Sequence, residues 1–142
     1  GILLFISDKI TANKTLENNF NYKSAIFIGF FQVLSLVPGV SRSGITISAG
    51  RFMNFNRYDS AKISFLLSIP TLAAVSIFGL NEIISSENLN FSLINLTSIF
   101  LSFIFSYITI KYFLIYLKKF SLNLFVIYRI ILGIILLLTG YL

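Results

Sequence analysis

The sequence predicts an all-α integral membrane protein, a re-entrant helical hairpin followed by three transmembrane helices, and three observations carry that reading. Hydrophobic residues make up 56% of the 142-residue chain and charged residues only 11%, where a soluble domain has about 25% charged. Residues 63–80 and 88–110 carry no charge, and residues 120–142 carry only Arg129; each approaches the roughly 20 apolar residues a helix needs to cross a bilayer. A further apolar stretch, Ser24 to Gly50, is broken by Pro38-Gly39 and again by Gly44.

Taken in order, Ile2 to Ile6 is an apolar stub without a basic flank, so residues 1–6 are expected to be the end of a preceding helix rather than a signal peptide. The half from Ser24 to Val37 would be about 21 Å long as a helix, short of a hydrocarbon core of about 30 Å. Proline cannot donate to the helix ladder and disfavours helix in the residue before it, and glycine relaxes the backbone further. A helix–break–helix hairpin over residues 24–56 follows, entering and leaving on one side. Broken backbone at membrane depth survives only where protein or a wet cavity satisfies its polar groups. The break is therefore a site candidate before any motif is read. Spanning helices over 63–80, 88–110 and 120–142 complete a single membrane domain, residues 1–142, and Pro70 is expected to kink the first of them.

Charge supports this topology. The formal net charge is +6, and Lys plus Arg number three in residues 7–23, three in 51–62, none in 81–87 and three in 111–119. By the positive-inside rule only the stretch 81–87, with Glu82 and Glu87, belongs outside. The first two loops then share a face, as a re-entrant hairpin requires and a plain spanning helix forbids. Arg57 and Lys62 read as ordinary cations of that face. The basic residues are dispersed between apolar runs, which argues against a nucleic-acid partner.

The chain has no Cys and no His, which excludes a thiol nucleophile, a phosphohistidine, a His general base and a zinc site of the usual ligands. The break reads Pro38-Gly39-Val40-Ser41-Arg42-Ser43-Gly44-Ile45-Thr46. Arg42 offers a planar fork suited to phosphate oxygens. Ser41, Ser43 and Thr46 add hydroxyl donors, and Gly39 and Gly44 let backbone amides approach a ligand. A second half-helix starting near Ser43 would aim its unpaired amides at the same place. Phosphate or diphosphate is the natural guest. Against this stands a plainer reading in which Pro-Gly is a turn, Ser a helix cap and the arginine a partner of lipid headgroups. On these residues alone the two readings stand about level.

The same nine residues resemble the second signature of the undecaprenyl-diphosphate phosphatases of the bacitracin-resistance type. The resemblance extends to Gln32, to Ser64-Phe65-Leu66-Leu67-Ser68-Ile69-Pro70 and to Tyr128-Arg129-Ile130, in order over about residues 24–135. It implies a multi-pass enzyme of the bacterial inner membrane that removes the terminal phosphate from a polyprenyl diphosphate and so recycles the carrier lipid of cell-wall synthesis. It also implies two inverted-topology halves, of which this chain resembles the second, and a divalent cation, Mg or Ca. The two-glutamate signature of the first half has no counterpart here. The five carboxylates, Asp8, Glu17, Asp59, Glu82 and Glu87, are all expected in loops, so the chain offers no buried general base and no identifiable metal ligand. Alone it is expected to be inactive, and to need a missing N-terminal half or a second copy as partner.

Carried over residue by residue, the resemblance makes Arg42, Ser41 and Ser43 the catalytic candidates and adds Thr46, Gly39 and Gly44 to the phosphate-binding set. Gln32 and Arg129 are candidates for the cavity lining, although a polar residue such as Gln32 more often joins membrane helices and an arginine such as Arg129 more often reaches the interface. The competing class is a transporter of anions or lipid phosphates, since broken helices that bind anions also build such proteins. A structural membrane fragment is the third reading.

Overall fold

The computed structural model describes residues 1–85 and 93–140. Among these, the elements are α1 (Ile2–Asp8), α2 (Leu16–Asn19), α3 (Tyr22–Val33) running into a 3-10 turn (Leu34–Leu36), α4 (Arg42–Phe52), α5 (Arg57–Ser85), α6 (Leu93–Lys119) and α7 (Asn123–Gly140). The helical fold class read from the sequence is the observed one. Three helices are long and apolar enough to cross a membrane, over Arg57–Asn81, Asn95–Lys119 and Asn123–Gly140, and this is a multi-pass membrane protein.

The break forms as its residues dictate. Asn21 caps α3, its Oδ1 accepting from the Ser24 amide at 2.9 Å. The helix tightens to a 3-10 turn ahead of Pro38, and Gly39 takes a left-handed φ of 84° that an L side chain rarely adopts. Ser41 then caps α4, its Oγ accepting from the Gly44 amide at 3.2 Å. The chain returns on itself: the rings of Phe20, before α3, and Phe55, after α4, meet with centroids 6.1 Å apart. The residues before α3 and after α4 thus lie close together.

Helix α4 is the hub, packed against α1, α3 and α5. Every residue from Gly44 to Arg51 is buried. One side contributes Ile47 to a core with Leu4, Ala61, Leu117, Leu122 and Val126, where the rings of Phe65, Phe113 and Phe125 pack edge to face at 5.9 and 5.2 Å. The other side contributes Ala49 to a core with Ile28, Phe55 and Ile63. The crossing with α5 is close because the residues are small: a Cβ on Gly50 would lie 2.9 Å from Ser60 Oγ and 3.2 Å from its Cα. Beyond these cores the outer faces of α5, α6 and α7 expose Ile, Leu and Phe, as helices facing lipid do.

Several boundaries differ from the sequence reading. Helix α5 begins at Arg57, inside the stretch read as a loop, because Asn56 caps it by accepting from the Asp59 amide at 2.8 Å. It continues through Pro70. Helix α6 extends to Lys119, so the cations of 111–119 are helical; Lys118 and Lys119 fall in its last turn, where the helix dipole favours positive charge. The predicted spans 88–110 and 120–142 lie partly outside the described residues, at 88–92 and 141–142, as does Glu87 of the acidic stretch.

The charges read as loop residues hold the fold together. Asp8 ends α1 and is 5% exposed. Its carboxylate accepts from Arg57 at 2.5 and 3.2 Å and from the Leu122 amide at 3.1 Å, tying α1 to the starts of α5 and α7. Asp59, also buried, accepts from the Leu16 amide at 3.1 Å and from Asn56 at 2.7 Å. Arg51 donates to the carbonyls of Phe55 at 2.9 Å, Asp8 at 3.1 Å and Ile10. Arg57 is consequently an ion-pair partner, and the expectation that the acids lie in loops is corrected: Asp8, Glu17, Asp59 and Glu82 fall within helices, and Asp8 and Asp59 are buried.

Candidate functional site

The start of α4 faces a cleft of about 640 Å³ formed with α1 and α7. It is lined by Gly39, Ser41, Gly44, Ser48, Tyr128 and Arg129 together with the apolar Ile2, Leu3, Leu132 and Leu136. Arg129 sits one turn above Gly133, on the face of α7 that meets α4, and its guanidinium donates to Ser41 Oγ at 2.7 Å. That approach needs Gly44, because a Cβ there would stand 2.5 Å from Arg129 Nη1.

The hydrogen-bond inventory at Ser41 is informative. Its Oγ accepts from the Gly44 amide and from Arg129, which occupies both lone pairs. The hydroxyl proton is left to donate outward; Ser43 Oγ lies 3.3 Å away. The amides of Arg42 and Ser43, in the first turn, have no intrahelical acceptor. Arg42 is half-buried and its guanidinium makes no hydrogen bond or ion pair with any described residue. The Arg129 guanidinium, the Ser41 hydroxyl and the start of α4 therefore meet at the cleft, with no carboxylate among the described residues that line it; Arg42 and Ser43 are not among its lining residues. Such a surface is chemically suited to an oxyanion.

The predicted residues separate on this geometry. Gly39, Ser41 and Gly44 line the cleft, with Ser43 and Arg42 in the same turn. Arg129, a candidate for the cavity lining, is among the residues that line it. Thr46, grouped with the phosphate ligands, is 1% exposed and turned inward; its Oγ1 lies 2.6 Å from Ser64 Oγ and donates within α4 to the Arg42 carbonyl at 2.9 Å. Gln32 does not line the cleft: its Nε2 donates to Thr71 Oγ1 at 3.0 Å, joining α3 to α5. Ser48 and Tyr128 went unread as site residues; Ser48 follows Gly44 by one helical turn, and Tyr128 adjoins the lone charge of an apolar helix, which was the available signal.

Fold and cleft together define a polytopic membrane protein with a helix break whose start meets an arginine of another helix. The model of the family described as "Bacitracin resistance protein BacA" matches residues 1–135. The chain belongs to that family. It is 54% identical over 142 residues to the undecaprenyl-diphosphatase of Pelagibacter ubique (strain HTCC1062), covering 99% of this chain and 55% of that protein. It is 40% identical to the undecaprenyl-diphosphatase of Elusimicrobium minutum (strain Pei191) and 33% identical to that of Jannaschia sp. (strain CCS1), in each case over 99% of this chain and 52% or 53% of the relative. The chain spans about half the length of these curated relatives.

Proposed function

We propose that this chain supplies the phosphate-gripping part of an undecaprenyl-diphosphate phosphatase of the bacterial inner membrane, which hydrolyses undecaprenyl diphosphate to undecaprenyl phosphate and phosphate. The observation that carries the reading is the Arg129–Ser41 contact at the Ser41-capped start of α4, in a cleft also lined by apolar residues. The head group would take the polar lining residues, and the first isoprene units the apolar Ile2, Leu3, Leu132 and Leu136.

Each group has a role that follows from its bonding. Arg129 and Arg42 neutralise charge on the diphosphate oxygens as the bridging P–O bond breaks and negative charge gathers on the leaving phosphate. The amides of Arg42 and Ser43 and the hydroxyls of Ser41 and Ser43 donate to the same oxygens. Ser41 acts as a donor rather than as nucleophile, because both its lone pairs are engaged and no base stands beside it. Asp8 is buried but lies at the opposite end of α4, about 15 Å away along the helix, and is committed to Arg57. No described residue is assigned the role of the base that activates the attacking water.

A divalent cation does not fit the donors seen here. The cleft offers cations and hydroxyls, and no group of three or more Asp or Glu able to hold a metal occurs among the described residues. No step is routed through one.

The test is phosphate release from undecaprenyl diphosphate in detergent by the natural full-length protein, by its Arg42→Ala variant and by the isolated 142-residue chain. Loss of one charged phosphate contact in a dry site costs on the order of 100-fold in rate. An active full-length protein, a nearly inactive variant and a silent fragment support the reading. Lipid binding without release favours a transporter, and full activity in Arg42→Ala removes that residue from the site.

A further inference from the structure

The far end of α4 carries a second concentration of charge, unrelated to the proposed phosphatase site. A cleft of about 610 Å³ opens there between the end of α1, the α4–α5 turn and the end of α6. Lys9, Arg51, Arg57 and Lys118 line it, against one carboxylate, Asp8. Arg57 takes both oxygens of that carboxylate, and Asp59 is spent on the Leu16 amide and Asn56.

Arg51 is therefore a cation 3% exposed with no carboxylate partner among the described residues; its Nη groups reach only main-chain carbonyls. Its buried Nε has no hydrogen-bond partner among them. Lys9 and Lys118 rest over the rings of Phe5 and Tyr58 at 4.4 and 4.6 Å and make no ion pair with a described residue. Asp8 is the carboxylate that faces Arg51, and Arg57 already claims it, so the cleft keeps an excess of positive charge that carbonyl dipoles offset only in part.

We propose that this cleft is a second anion site, taking a phosphate oxyanion at the membrane surface. Guanidinium and ammonium groups set around one open cleft suit phosphate oxygens. Its position at the cation-rich end of the helices is where acidic headgroups concentrate. An anionic phospholipid and free phosphate present the same chemistry, and the experiment separates them.

The natural full-length protein is placed in nanodiscs of phosphatidylcholine with a minor share of phosphatidylglycerol, and lipid retained by the protein is read by native mass spectrometry. Inorganic phosphate is titrated calorimetrically in parallel. The variants are Lys9→Gln/Lys118→Gln, which alters two exposed side chains and leaves the buried network intact, and Ser41→Ala, which alters the other cleft. Preferential retention of phosphatidylglycerol, weakened on the order of tenfold in the double variant and unchanged in Ser41→Ala, supports a headgroup site. A phosphate isotherm lost in the double variant and kept in Ser41→Ala supports a free-phosphate site. Equal binding of both probes by wild type and double variant, absence of binding in both, or loss of all binding through Ser41→Ala alone overturns the proposal.

Discussion

Gly44→Ala separates catalytic geometry from stability, because the two effects have opposite signs. Gly44 lies inside α4, where alanine is favoured over glycine by about 1 kcal/mol. The added methyl would stand 2.5 Å from Arg129 Nη1, with Ser41 Cβ and Oγ at an ordinary 3.4 Å. Ordinary contact begins near 3.4 Å, so the guanidinium must retreat by about an ångström; it is the far end of a flexible side chain, and the helices need not move. A retreat of that size stretches the 2.7 Å bond to Ser41 beyond hydrogen-bond range. Loss of one charge-assisted hydrogen bond is worth about 1.5–3 kcal/mol, or roughly 10- to 100-fold in phosphate release. The assay is turnover of undecaprenyl diphosphate by the full-length protein, read beside its thermal unfolding midpoint in detergent. The expected pair of results is a midpoint equal to or above wild type and activity reduced at least tenfold. Undiminished activity refutes the placement of Arg129, and activity lost together with stability shows that the effect is one of folding.

Thr46→Val leaves phosphate release within about threefold while lowering stability by about 1 kcal/mol, the worth of a buried hydroxyl pair, because Thr46 serves Ser64 rather than the cleft; a collapse of turnover at unchanged stability would restore it to the ligand set. Gly50→Ala forces α4 and α5 apart at Ser60 and costs about 1–3 kcal/mol, read as a lowered unfolding midpoint, the opposite sign to Gly44→Ala in the same helix. Asp8→Asn removes the carboxylate from Arg57 and lowers stability by about 2 kcal/mol, discounted from the buried-pair value because the Arg57 side chain is 35% exposed; an unchanged midpoint would show that the Leu122 and Arg57 contacts contribute little.

What was legible in the sequence was what the bilayer dictates. Apolar length gives α5, α6 and α7, and Pro38-Gly39 gives the break, because a bilayer leaves few alternatives for such residues. The helix ends at Arg57 and Lys119 were not legible from hydropathy, since charged residues continue a helix readily where a cap or the dipole supports them. The cleft was half legible. Ser41, Gly39 and Gly44 lie adjacent in sequence, whereas Arg129 joins them across 88 residues through a packing that no local pattern encodes. The same limit hid the Asp8–Arg57 pair, 49 residues apart, and made both residues look like solvated loop charges. Thr46 was misread because a hydroxyl inside a helix can return its proton to its own backbone, and only the position of Ser64 shows that it does.

The two ends of α4 explain why a helix of 11 residues can stand among long ones. At its C-terminal end Arg51 gives its donors to nearby carbonyls, so polar backbone that would be costly away from water is satisfied by the protein itself. At its N-terminal end only one first-turn amide, that of Gly44, is capped, and the cap is itself held by a cation. Adding Arg129 and Arg42 to an end that is already positive raises the electrostatic cost of the helix start, which stability alone would not favour. Capping by Ser41 would serve a purely structural break equally well without either arginine. The excess positive charge at the start of α4 is chemically matched to an anion, and it lies about 15 Å along the helix from Arg51.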